Sequence, residues 1–353
     1  MDKVKQFAHF LINSSFRLKA GELLVITSDF DSHHDINEAI AQEAHQIGGE
    51  VMIIKTPPAE AVGLAADSVI PQPAFVDMML NADCWLDTGS VPWLYSQAFE
   101  TVMTQNERIR YMLISTIELD MLVEMFINNF SPALEKLCAE LEAMVLAAQT
   151  ITLTNALGAD VTFSLNHDHL LVKDIGIAAT PGFYTIPALF NIVPKFGSAN
   201  GRMVFNSIIG ADPWRTLEKP LSADIKDGKI VDISSEIQAD ADALRSWLAK
   251  WNEENIYQVA HVNFGLLVNV TELSDNPILA ERMWGAFNWG FGSVSATDAP
   301  PDGQESQSHF DAVMLKPSVW IGDTQIMEEG EVIFGDLKKY ADDIKKNTRR
   351  NDG

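Results

Sequence analysis

The chain has 353 residues, of which 47% are hydrophobic and 21% charged, a composition typical of a globular protein with room for two domains. Its formal net charge of −24 disfavours partners such as nucleic acid or an anionic membrane surface, because like charges repel. No apolar run approaches the length of a membrane span, and the first residues lack the apolar core of a signal peptide. Cys84 and Cys138 fit neither a zinc motif nor a disulfide framework. We therefore expect a cytoplasmic protein.

The first part of the chain alternates helical and strand-like patterns. Helices are predicted over 2–15 and 35–46, and buried strands over 23–27, 51–55, 84–87 and 111–115. Such alternation favours a mostly parallel, doubly wound sheet. Residues 1–149 are therefore predicted to form an α/β domain. Neither a Gly-x-Gly-x-x-Gly motif nor a Walker loop is present, so the sequence does not support a nucleotide site.

The pattern changes after a helix predicted over 132–148. Strands are predicted over 151–154, 160–165, 201–210 and 228–234, with more between 257 and 334, and a helix over 236–251. Residues 150–353 are therefore predicted to form an α+β, mainly antiparallel domain. The charged tail, 338–353, is expected to fray.

The stretch Ser308-His309-Phe310-Asp311 opens an apolar run. In a strand, His309 and Asp311 face the same side, because side chains alternate with a period of two. His261, inside the apolar segment 259–265, can supply a third ligand. Two histidines and one carboxylate are the usual ligands of non-haem Fe(II) oxygenases. From the residues alone, a hydrogen-bonded His–Asp pair with a purely structural role is equally open.

A rival metal half-site is His167-Asp168-His169. It follows a predicted strand and, with Asn166, is rich in residues that form turns. We therefore interpret it as a hairpin loop.

Several motifs spread over nearly the whole chain carry a family resemblance. They are the hairpin Ala-Leu-Gly-Ala-Asp-Val-Thr-Phe-Ser-Leu (156–165), Pro-Gly followed by Pro (181–187), His-Val-Asn-Phe-Gly (261–265), Asn-Trp-Gly-Phe-Gly (288–292) and His-x-Asp (309–311). Together they resemble two related groups: aminopeptidase T-like metallopeptidases and 2,5-dihydroxypyridine 5,6-dioxygenases. The resemblance also implies a homo-oligomer.

The residues at the ligand positions separate the two groups. The peptidase resemblance implies two metal ions held by five ligands. Of these five positions, this chain has a matching residue only at His309 and Asp311. The other three positions correspond to Leu189, His261 and Asn288, and leucine cannot bind a metal. The dioxygenase resemblance instead implies one Fe(II) ion held by His261, His309 and Asp311.

The resemblance therefore implies an Fe(II)-dependent, extradiol-type dioxygenase. Its substrates would be O₂ and a dihydroxypyridine-like or other hydroxylated aromatic or heteroaromatic ring. A zinc aminopeptidase and a non-enzymatic binding protein are the alternatives.

The same resemblance suggests pocket residues. The resemblance implies that the dioxygenases have a histidine at the position where this chain has Trp93 or Tyr95. It implies a second histidine at the position of Thr185, which lies beside Tyr184. Tyr95 and Tyr184 are candidate catalytic residues that can bind a phenolic or hydroxypyridine oxygen. The candidate substrate-binding residues are Trp93, Thr185, Asn288 and Trp289.

Overall fold

The computed structural model describes residues 2–60, 63–114, 118–211, 215–274 and 276–351. Two compact units are present: unit 1 comprises Met1–Phe130 and Asp174–Pro187, and unit 2 comprises Ser131–Lys173 and Ala188–Gly353. This grouping differs from the limit predicted at residue 149. No helix among the described residues is both long enough and apolar enough to span a bilayer.

The secondary structure is numbered in chain order. The helices are α1 (Lys3–Phe10), α2 (His34–Gln46), α3 (Ala74–Met79), α4 (Gln97–Gln105), α5 (Leu119–Val123), α6 (Pro132–Ala147), α7 (Gln238–Lys250), α8 (Pro277–Arg282) and α9 (Gly335–Asn351). The strands are β1 (Leu23–Asp29), β2 (Glu50–Thr56), β3 (Cys84–Asp87), β4 (Arg110–Leu113), β5 (Thr150–Thr154), β6 (Asp160–Ser164), β7 (Leu171–Asp174), β8 (Gly182–Tyr184), β9 (Leu189–Ile192), β10 (Asn200–Ile209), β11 (Arg215–Lys226), β12 (Lys229–Ser235), β13 (Val259–Gly265), β14 (Phe287–Val294), β15 (Gln304–Met314), β16 (Ser318–Ile321), β17 (Thr324–Glu328) and β18 (Glu331–Val332).

Unit 1 contains the predicted parallel sheet. Its strand order is β2-β1-β3-β4-β8, and every neighbouring pair is parallel. Its core includes Trp85, which contacts Phe75 and Tyr111 edge-on. The α/β prediction is therefore confirmed. Of the strand predicted over 111–115, Ser115 lies outside the described residues.

The last strand of this sheet, β8, explains in part why the limits of unit 1 differ from the predicted domain 1–149. β8 comes from a segment far along the chain, and it pairs with β4 through Tyr111 and Phe183. The aromatic rings of these two residues also stack, with centroids 5.6 Å apart. The segment Asp174–Pro187 is therefore grouped with unit 1.

Unit 2 is built on a 13-stranded sheet with the order β18-β17-β16-β5-β6-β10-β15-β14-β13-β9-β7, and β11 and β12 extend from β10. The pairs β9–β13, β13–β14 and β14–β15 are all antiparallel. The prediction of a mainly antiparallel second part is thus confirmed.

The C-terminal tail corrects one expectation. Residues 338–351 belong to α9, so the prediction that this tail frays was wrong for its described part. Leu337, Ala341 and Ile344 are buried, and their spacing puts them on one helical face. α9 packs on α6, which explains why α6 is grouped with unit 2. The surrounding charges concealed this short apolar stripe in the sequence.

Phe310 anchors the strand that carries the predicted metal ligands. It is fully buried; its ring stacks on Phe291 with centroids 4.8 Å apart and meets Trp247 edge-on at 5.5 Å. We expect Phe310→Ala to lower the free energy of unfolding by about 3–5 kcal/mol, the usual cost of such a cavity. Urea denaturation of the metal-free protein measures this loss. Leu157→Ala, at a side chain that is 55% exposed, is the control and should change it by less than about 0.5 kcal/mol. Equal losses of stability in the two variants would contradict the conclusion that Phe310 anchors this strand.

Candidate metal centre

One face of the unit 2 sheet is polar where β13, β14 and β15 lie side by side. His309 and Asp311 alternate on β15 with Phe310 and Ala312, both fully buried. Residues two apart on a strand share a face, so the two ligand candidates face away from the apolar layer. This is the arrangement that the sequence predicts.

The middle strand, β14, has a glycine at the position facing the imidazole of His261. Gly290 is paired with Asp311 of β15. A Cβ atom at residue 290 would lie only 2.4 Å from Nε2 of His261, and its three nearest neighbours would all be atoms of that ring. The glycine therefore provides the space in which the imidazole of His261 approaches β15.

His261, His309 and Asp311 meet at one point. The two Nε2 atoms are 3.0 Å apart. Nε2 of His261 lies 3.6 Å from Oδ1 of Asp311, and Nε2 of His309 lies 3.4 Å from Oδ2. Two ligands at right angles on an ion, with bonds of about 2.1 Å, are separated by about 3.0 Å. The three side chains therefore have the spacing of ligands of a single ion.

This cluster stands alone in the described ranges of the chain. Among those residues, no other group of three histidine, cysteine, aspartate or glutamate side chains brings its ligand atoms within 4.8 Å of one another. The rival segment forms the predicted turn at His167 and Asp168, but the turn does not close a hairpin, because β6 pairs with β5 and β10 and β7 with β9. Nδ1 of His169 lies 3.0 Å from the carbonyl oxygen of Pro194.

Two of the three side chains of the cluster have protonation states that suit a metal. Burial lowers the pKa of His261 to about 4, so its imidazole is neutral near pH 7. Burial opposes ionisation of Asp311, but the charge and hydrogen bond of His309 outweigh that effect and lower the pKa of the carboxyl group. Neutral imidazole and ionised carboxylate are the forms that bind metals, so His261 and Asp311 suit an ion as they stand. Burial lowers the pKa of His309, but the charge of Asp311 outweighs that effect and raises the pKa, so this imidazole releases its proton when an ion binds.

The two imidazoles are held differently. Nδ1 of His309 lies 3.1 Å from the carbonyl oxygen of Ser293. Donation of the Nδ1 proton to this oxygen leaves Nε2 of His309 free to bind an ion. Nδ1 of His261 is buried, and no described residue hydrogen-bonds to it. The two rings stack with their centroids 4.9 Å apart.

A charged pair on α8 was not identified from the sequence. Nη1 of Arg282 lies 3.0 Å from Oε1 of Glu281, and the two side chains are 5% and 20% exposed. Burial raises the pKa of Glu281, on which the charges of Asp311 and His309 also act. The pair belongs to none of the motifs recognised in the sequence. The only signal was two adjacent charges in an otherwise apolar segment.

The remaining predicted site residues of unit 2 lie on opposite faces of β14. Asn288 is fully buried on the face that carries the cluster, and its Nδ2 donates to Oδ1 of Asp311 over 2.9 Å. Trp289 is also fully buried, but it packs edge-on against Phe163 and beside Phe287 in the apolar layer. The structure thus brings Asn288 to the candidate metal ligands and places Trp289 in the core.

The other four predicted pocket residues belong to unit 1. Trp93 is buried against Phe75, with centroids 5.1 Å apart. Tyr95 is 39% exposed and has a positive φ of 61°. The hydroxyl of Tyr184 donates to the carbonyl oxygen of Thr180, and that of Thr185 to Oδ2 of Asp174. Their part in a substrate site stays a prediction.

Gly290 offers a test of the cluster geometry. In Gly290→Ala the new methyl group should displace the ring of His261 and weaken metal binding by about 10–100-fold or more. Titration with Co(II) against a competing chelator measures the affinity.

A double-mutant cycle is the control. Because the three atoms nearest to the added Cβ all belong to His261, Gly290→Ala should cost little stability when His261 is already alanine. A large cost in that background would show that the glycine serves something other than the imidazole.

Comparison with known proteins places the chain in a family. Residues 4–334 match the model of 2,5-dihydroxypyridine 5,6-dioxygenase (NicX). The solved structure of 2,5-dihydroxypyridine dioxygenase from Pseudomonas putida KT2440 is similar, with a TM-score of 0.81, 17% identity, and coverage of 95% of this chain and 98% of that one. Wild-type AmpT from Thermus thermophilus has a TM-score of 0.64, 14% identity, and coverages of 94% and 99%. A search of curated proteins found no match. The family match covers most of the sequence, and the chain belongs to the 2,5-dihydroxypyridine 5,6-dioxygenase family.

Proposed function

We propose that the protein is a mononuclear Fe(II) dioxygenase that opens a hydroxylated aromatic or heteroaromatic ring with O₂. One observation carries the proposal: in a chain of this family, His261, His309 and Asp311 meet within ligand distance of each other. Family membership supports ring-cleaving dioxygenase activity. Iron and the substrate class are our inference.

Iron follows from the donor set. Two imidazole nitrogens and one carboxylate that together leave coordination positions open are the ligands of non-haem Fe(II) oxygenases. His261, His309 and Asp311 would hold the ion. Bound Fe(II) would supply a binding position for the ring oxygens and for O₂, and a path for electrons from the electron-rich ring to O₂.

The protein contributes charge and geometry. Asp311 provides one negative charge, so a divalent ion held by the cluster keeps a net positive charge. A positive centre favours the deprotonated hydroxyl of an aromatic ring over the neutral one. Behind the ligands, Phe291 and Phe310 form a fully buried apolar layer. This layer excludes water from that side of the site. The attraction between the positive ion and the deprotonated hydroxyl of the ring is therefore stronger.

The substrate class rests on the family and on this charge. The family description and the Pseudomonas putida structure both name a 2,5-dihydroxypyridine dioxygenase. We propose a dihydroxypyridine-like ring or another hydroxylated ring, with O₂ as co-substrate. A cytoplasmic location and a homo-oligomeric assembly also remain predictions.

A two-zinc aminopeptidase is the weaker candidate, although the fold of AmpT is similar. A second metal would need further carboxylates beside Asp311. Asp298, Asp302 and Glu305 are the acidic residues nearest in sequence, and none of them joins the described ligand cluster. The corresponding peptidase positions hold Leu189 and Asn288, which supply no carboxylate.

The test is oxygen consumption by iron-loaded protein. Fe(II) is added anaerobically, followed by 2,5-dihydroxypyridine or catechol, and O₂ uptake is measured with the loss of ring absorbance. We expect one iron per chain and uptake of one O₂ per ring opened. His309→Ala should abolish iron binding and O₂ uptake, because it removes one of three ligands. His167→Ala, at an exposed histidine of the turn, is the matched control and should retain both. Two zinc ions per chain with release of amino acids from peptides would refute the proposal.

A further inference from the structure

Asn288 is a buried amide that contacts a metal ligand directly. Its side chain is fully buried on β14, and Nδ2 donates to Oδ1 of Asp311 over 2.9 Å. The amide oxygen of Asn288 is also buried, without a hydrogen-bond partner among the residues that the structure describes. The hydrogen bond to Asp311 is therefore the polar contact that holds this side chain.

The setting of Asn288 shows that this contact is specific. Asn191, Asn263 and Asn288 are in register on β9, β13 and β14, and each has a buried amide oxygen that no described residue satisfies. Leaving such an oxygen unpaired costs about 1–3 kcal/mol, so each asparagine needs a compensating role. Of the three, only Asn288 has a described hydrogen bond to a ligand of the cluster.

The hydrogen bond distinguishes the two oxygens of Asp311. Oδ1 accepts from Asn288 and lies 3.6 Å from Nε2 of His261, whereas Oδ2 lies 3.4 Å from Nε2 of His309. A carboxylate without such a partner can bind an ion through both oxygens and then occupies two coordination positions. The amide of Asn288 occupies one lone pair of Oδ1, so an ion that uses both oxygens competes with this hydrogen bond, whereas an ion bound through Oδ2 leaves it intact.

We propose that Asn288 is a positioning residue that makes Asp311 a one-oxygen ligand and so keeps one further coordination position open for substrate or O₂. The inference rests on the metal centre of the proposed function. It assigns to Asn288 a role on the metal ligand rather than on the substrate.

The test compares two leucine substitutions in the same row of amides. In Asn288→Leu, Asp311 loses the donor that orients it; we expect Co(II) and Fe(II) to bind about 10–100-fold more weakly, as is typical when support of a ligand is lost, because the free carboxylate must be ordered on binding even where it then uses both oxygens. The absorption bands of the Co(II)-loaded protein should also change in position and intensity, because they report the coordination number. Asn263→Leu removes an equally buried amide of the same row that has no described bond to Asp311. Its metal affinity and Co(II) spectrum should match those of the wild type.

The outcomes separate this inference from the proposed function. If the wild type binds one ion per chain but Asn288→Leu binds it with unchanged affinity and spectrum, Asn288 is not a positioning residue. An equal change in Asn263→Leu would also overturn the inference, because the effect would then follow from loss of any amide in the row. If the wild type binds no ion at the cluster, the proposed function itself fails. Asn288→Ala serves as the second variant if leucine does not fit, with the same expected result.

Discussion

The candidate metal centre depends on the alternation of side chains along β15. One strand anchors the sheet through Phe310, which stacks on Phe291, and presents His309 and Asp311 on its other face. A displacement of the strand by one residue would exchange the two sets and bury both ligands in the apolar layer. The packing energy of Phe310 therefore fixes the positions of the ligands. Core and site are thus stabilised by the same register.

The centre also depends on space left open on the neighbouring strand. Each ligand strand can be correct in itself while the two imidazoles remain too far apart. Gly290 allows the ring of His261 to approach that of His309 to 3.0 Å between their Nε2 atoms. The position is paired with Asp311, so any side chain there would occupy the space between the ligands. The cluster therefore requires both the three ligand residues and a residue without a side chain at position 290.

Local patterns predicted much of this arrangement. The period-two rule placed His309 and Asp311 on one face, and the strand segments gave the fold class of both parts. The same rule places Trp289 on the opposite face of β14 from Asn288, and Trp289 packs against Phe163. The part of either residue in substrate binding stays a prediction.

Features that depend on long-range contacts were not predictable. β8 joins the parallel sheet from a segment that follows three strands of unit 2, and no local pattern in Gly182–Tyr184 indicates that pairing. The carboxyl group of Glu281 interacts electrostatically with Asp311 and His309 because α8 packs on β13 and β15. A single sequence does not reveal this packing. The side chain of Asn288 is polar and buried, and its partner became evident only when β14 and β15 were paired.

The choice between one metal and two follows from what stands beside Asp311. At a two-metal site, both oxygens of a carboxylate are available to ions. Here Oδ1 is engaged by the neutral amide of Asn288, and Leu189 on β9 contributes no donor. One carboxylate with two neutral imidazoles also leaves a divalent ion with a net charge near +1, which suits an anionic ring oxygen better than a second cation. Charge and hydrogen bonding thus favour the same outcome, a single ion with open positions.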